Sequence, residues 1–91
     1  MKTNTITYSD SELRNLVEEY ITQQKSGFTL KGVCSYVLYW AVEDDKVAQG
    51  HSLIESNAIS NADQDRVKRL LEAVVTDGRI VSVSDGTFQK R

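Results

Sequence analysis

Ninety-one residues, 40% of them hydrophobic and 26% charged, supply one compact domain with one core and too little chain for two. A formal charge of −2 argues against a large electropositive footprint, while a lone Cys34 excludes an internal disulfide and a lone histidine leaves no ligand spacing for zinc. No stretch is long and apolar enough to span a bilayer, and no paired carboxylates, glycine-rich phosphate loop or nucleophile elbow stands out, so neither an enzyme nor a bound cofactor or metal is expected.

In chain order, Met1-Lys2-Thr3-Asn4-Thr5-Ile6 lacks the apolar core of a secretory signal, which predicts a cytoplasmic protein with residues 1–7 as a flexible N-terminal tail. Helix one follows from Ser9-Asp10-Ser11-Glu12, a capping box in which Ser9 accepts from a free amide and Glu12 returns the bond to the cap backbone. Tyr8 and Leu13 stand at the spacing of a hydrophobic staple, and Leu13, Leu16, Val17, Tyr20 and Ile21 form one apolar stripe. The helix is expected to end near Lys25-Ser26, with Gly27 as a left-handed stop, before the brief extended piece Phe28-Thr29-Leu30.

Residues 31–43 are apolar on nearly every side. Read as a helix, Val33, Tyr36, Val37, Trp40 and Ala41 make one face, and Leu38, Tyr39 and Val42 lie on the other. A buried strand is the rival reading, because valine, tyrosine and tryptophan also favour strands. The second face must be covered, either by the segment that follows or by a homodimer or protein partner seated on Leu38, Tyr39 and Val42. Cys34 within this run reads as a small buried hydrophobe rather than a reactive thiol. Residues 43–49 can prolong helix two up to Gly50, and a short helical turn around Leu53-Ile54 is possible in the connection. His51 has no nucleophile or metal partner nearby in sequence, so it reads as a surface residue.

Helix three starts either with Ser60 as cap and Asp63 three residues on, or with Asn61 and Gln64. Val67, Leu70, Leu71 and Val74 then form a buried face, while Asp65, Arg69, Glu72 and Thr76 turn outward, flanked by Arg66 and Lys68. Beyond Asp77-Gly78, Arg79-Ile80-Val81-Ser82-Val83 alternates as a strand, Ser84-Asp85-Gly86 makes a tight turn, and Thr87-Phe88-Gln89 returns with Phe88 as inward anchor. Charge divides unevenly: residues 1–59 hold five bases and eight acids, residues 60–91 six bases and five acids.

This order of helix one, Phe28-Thr29-Leu30, helix two, helix three and the hairpin through Phe88 resembles a winged helix-turn-helix domain over about residues 8–91. Its closing pattern is similar to that of modules in bacterial transcription factors and polymerase-associated proteins. The resemblance implies an α+β fold of three helices with a small antiparallel sheet, in which Phe28-Thr29-Leu30 pairs with the hairpin. It further implies double-stranded DNA binding in transcription regulation, with Gln64, Arg66, Lys68 and Arg69 of helix three in the groove and Arg79, Lys90 and Arg91 on backbone phosphates. The competing reading of the same charges is solubilising i, i+4 pairs, Asp65 with Arg69 and Lys68 with Glu72. The alternative function is a protein-interaction module on the same scaffold, or an accessory or inhibitor protein without DNA binding. It would use Leu38, Tyr39 and Val42 or the acidic run Glu43-Asp44-Asp45.

Overall fold

The computed structural model describes residues 5–48 and 59–91. Its elements are α1 (Asp10–Gln23), β1 (Gly27–Thr29), α2 (Leu30–Glu43), α3 (Asn61–Thr76), β2 (Ile80–Ser84) and β3 (Thr87–Lys90). Among the described residues this is an α+β arrangement: three helices and one antiparallel sheet of order β1-β3-β2.

Helix α1 begins at the expected capping box. Ser9 Oγ accepts from Glu12 N at 3.2 Å, and Glu12 Oε1 accepts from Ser9 N at 3.0 Å. Leu13, Val17 and Ile21 are buried along the predicted stripe, with Leu16 and Tyr20 packed at its margin. The far end differs from expectation. The helix stops at Gln23, and Gly27 is a strand residue paired with Gln89 rather than a left-handed stop. Gln24 replaces that stop: its backbone N–H donates to Ile21 O, its side chain donates to Tyr20 O, and its own carbonyl accepts from Lys90 Nζ. With those carbonyls satisfied, the chain turns extended without glycine.

The strand β1 feeds α2 with no intervening turn. Thr29 is the last strand residue and also the helix cap, accepting from Gly32 N at 3.0 Å, and Leu30 N donates to Gly86 O in the hairpin turn at 2.8 Å. Residues 30–43 are thus helical, which removes the strand alternative. At its other end α2 closes in a Schellman motif: Asp45 N donates to Val42 O, Lys46 N donates to Ala41 O, and Asp45 takes the left-handed conformation at φ 56°. Helix two therefore ends at Glu43 and is not prolonged to Gln49. The suggested turn at Leu53-Ile54 and the surface reading of His51 lie outside the described residues.

The N-terminal segment is not a free tail over residues 5–7. Ile6 pairs with Val47 in an isolated antiparallel bridge, Thr7 N donates to Lys46 O, and Ala48 N donates to Thr5 O. Ile6 is 4% exposed, so apolar burial secures the same strap that backbone bonding aligns.

Helix α3 starts with Ser60, whose hydroxyl accepts from Asp63 N, and ends in a second Schellman motif with Gly78 at φ 80°. Val67, Leu71 and Val74 are buried, Leu70 is partly so, and Asp65, Arg69, Glu72 and Thr76 are exposed as the periodicity predicts. The hairpin pairs Ser82 with Phe88 and Ser84 with Thr87, which leaves Val83 as a bulge pointing outward at 55% exposure. Phe28 lies opposite Phe88 in the β1–β3 register with ring centroids 5.6 Å apart, and with Ile80 these rings join the sheet to the helical core.

Candidate interaction site

Two surfaces carry the residues expected to function, and the structure treats them differently. On α3, Arg66 is partly buried and engaged by its own fold. Its guanidinium donates to Asp10 Oδ1 at 2.9 Å, to Asp63 Oδ1 at 3.1 Å and to the Tyr8 carbonyl at 2.8 Å. Burial opposes its charge, and the hydrogen bonds and charges of Asp10 and Asp63 outweigh that, so its pKa lies above the ordinary arginine value. Asp63, 4% exposed, also accepts from the Ile6 backbone N–H at 3.0 Å and from the Ser60 hydroxyl at 2.7 Å. Arg66 and Asp63 therefore tie the N-terminal strap and α1 to the start of α3, an arrangement suited to structure rather than to reaching a groove.

The other expected DNA contacts divide. Gln64 Nε2 donates to Ile59 O at 2.9 Å, Arg79 is ion-paired with Glu18, and Lys90 Nζ donates to Gln24 O at 2.9 Å. Gln64 and Lys90 are thus partly buried and bonded to backbone carbonyls, while Arg79 stays exposed with its charge paired. Lys68, Arg69 and Arg91 are exposed. Among the described residues, no ion pair within 4 Å joins Asp65 to Arg69 or Lys68 to Glu72, so those acids neighbour the two cations on the helix face without closing on them. A shallow cleft between α1 and α3, lined by Arg14, Val17, Glu18, Leu70, Val74 and Asp77, adds no cluster of nucleophilic or ligating groups. Among the described residues no group of three or more histidine, cysteine, aspartate or glutamate side chains is placed to hold a metal ion. No helix there is long and apolar enough to cross a membrane.

On α2 the expected faces are rotated. Leu38, placed by sequence on a partner surface with Tyr39 and Val42, is 4% exposed and belongs to the core, and Val42 is partly buried against it. Trp40, placed by sequence on the core face with Tyr36, is instead 37% exposed, and Tyr39 is 59% exposed. The physical reason lies in the ridge Val33-Val37-Ala41, which is buried throughout and has apolar residues on both flanks. The smaller flank of Cys34, Leu38 and Val42 packs inward. The bulkier flank of Tyr36, Tyr39 and Trp40 stays at the edge, where phenol and indole groups keep access to polar partners. Burial also lifts the Cys34 thiol to about 11, in keeping with an unreactive side chain.

The outer aromatics are the end of a longer series. Phe88, Phe28, Tyr20, Tyr36, Trp40 and Tyr39 follow one another with centroid separations of 5.6, 5.9, 5.1, 6.4 and 5.5 Å. Phe88 and Phe28 lie in the core, Tyr20 at its margin, Trp40 is 37% exposed and Tyr39 is the most exposed, and Tyr36 in the middle is held by Gln23 and Glu19 of α1, each 3.3 Å from its hydroxyl. No periodicity rule identifies this series, although its members are six of the seven aromatic residues in the chain. Comparison with family models, curated proteins and solved structures gives no match to this chain.

Proposed function

We propose that the chain is a winged-helix domain that works by holding another protein, with the outer face of α2 as its contact surface. The element order α1-β1-α2-α3-β2-β3 and the sheet order β1-β3-β2 support the scaffold reading. The observation that carries the function is the exposure of Tyr39 at 59% and Trp40 at 37%, side by side on one rigid helix. Tyrosine and tryptophan are enriched at the energetic centres of protein interfaces, because they bring large area at low conformational cost.

A second reading, double-stranded DNA binding in a regulatory role, is favoured by the exposure of Lys68 and Arg69 on the solvent face of α3. One experiment separates the two: a photo-crosslinking phenylalanine analogue replacing Tyr39 in one variant and Arg69 in another, activated in the producing cells. The protein-holding reading expects a discrete protein adduct from position 39. Adducts only with nucleic acid, and only from position 69, would transfer the function to DNA.

A further inference from the structure

The rings at the outer end of α2 carry a charge preference. The planes of Tyr39 and Trp40 meet at 88° and those of Tyr36 and Trp40 at 65°, so neighbouring rings form corners rather than a stacked slab. Ring faces are negative, and a corner of them attracts a cation. Carboxylates stand at both ends of the patch. Glu19 Oε2 accepts from the Tyr36 hydroxyl at 3.3 Å, and the exposed Glu43 follows Tyr39 by four residues and Trp40 by three, on the same helical face. Lys31 is the one cation of α2, nine residues before Trp40 and about 13 Å away at helical rise, and Lys46, three residues beyond Glu43, is 3.9 Å from Glu12 of α1.

We infer that this face docks a cationic segment of a protein partner, with an arginine or lysine side chain in the Tyr39–Trp40 corner and its neighbouring bases opposite Glu19 and Glu43. The inference rests on the protein-holding reading and adds the chemistry of what is held. Charge complementarity selects this occupant over two others. A single nucleic-acid strand would stack on open rings, yet its phosphates would meet the flanking carboxylates. A second copy would bring the same acidic rim against itself across a two-fold axis, in a segment, residues 1–59, that already holds eight acids to five bases.

The test is selection of a random dodecapeptide display library on the full chain, run in parallel on Tyr39→Ala and Glu43→Gln, followed by titration of selected peptides against the fluorescence of Trp40, the sole tryptophan. Enriched peptides rich in arginine or lysine, weakened about fivefold by Tyr39→Ala and less sensitive to salt in Glu43→Gln, are the expected result. Enriched apolar or acidic peptides that still require Tyr39 would overturn the cationic inference and leave the protein-holding reading standing. Peptides indifferent to Tyr39→Ala would overturn both. A concentration-dependent dimer in sedimentation, abolished by Tyr39→Ala, would assign the face to a second copy and overturn the inference as well.

Discussion

The charged start of α3 and the aromatic end of α2 make an instructive pair, because residue type alone ranks them in the opposite order. Arg66 on α3 has the chemistry of a base-reading side chain, yet two carboxylates and a carbonyl hold it within the fold. Tyr39 and Trp40 on α2 have the chemistry of core residues, yet Tyr39 is mostly exposed and Trp40 keeps more than a third of its surface in solvent. A side chain is available for a partner only when its own fold has not already satisfied it, and for long cations that is decided by residues far away in sequence.

The sharpest way to break this comparison is Asp63→Ala. It strips the Ile6 amide, the Ser60 hydroxyl and Arg66 of one shared acceptor, and a loss of about 3 kcal/mol in urea unfolding is expected. Arg66→Ala should cost about 1–2 kcal/mol while leaving retention on a DNA column unchanged. Unchanged stability with lost retention would return Arg66 to the groove. Ser9→Ala should cost about 1 kcal/mol by thermal unfolding, through loss of the α1 cap.

A smaller effect is expected from pH. Burial, and then its hydrogen bond to Asp44 Oδ2 at 2.6 Å, hold the Tyr8 hydroxyl protonated well above the usual tyrosine range. The folded pKa is raised, so this contribution is intact below about pH 10, the unfolded value, and declines as pH climbs above it. Stability measured from pH 9 to 11 should fall in the native chain and fall less steeply in Tyr8→Phe. Smallest of all, Tyr39→Ala should change stability by no more than about 0.5 kcal/mol, as for an exposed position. A larger loss would mean that the aromatic face belongs to the fold rather than to a partner.

What could be read from sequence was local. The Ser9 and Glu12 box, the Ser60 cap, the outward set on α3 and the Phe88 anchor each depend on residues within a few positions of one another, and each stands where expected. The misplaced features are of two kinds. Helix two offered two flanks to one buried ridge, and a 3.6-residue period does not choose between them; the fully apolar flank of Cys34, Leu38 and Val42 went inward, and the amphipathic flank of Tyr36, Tyr39 and Trp40 stayed at the edge. The others are long-range. Arg66 reaches Asp10 across 56 positions and Ile6 reaches Asp63 across 57, distances over which no sequence pattern speaks. The end of α2 is a local ambiguity of the first kind: a left-handed aspartate, Asp45, ends the helix where a glycine further on looked the natural stop.

The Ile6 and Val47 bridge has a consequence for engineering. It fixes the chain just after α2, while Ile59, fully buried, fixes it just before α3, so the two anchors of the intervening connection are each held by contacts of their own. Any label or fusion that displaces Thr5–Thr7 would therefore also release the chain just after α2, so the strap is a poor place to join a tag directly to this fold.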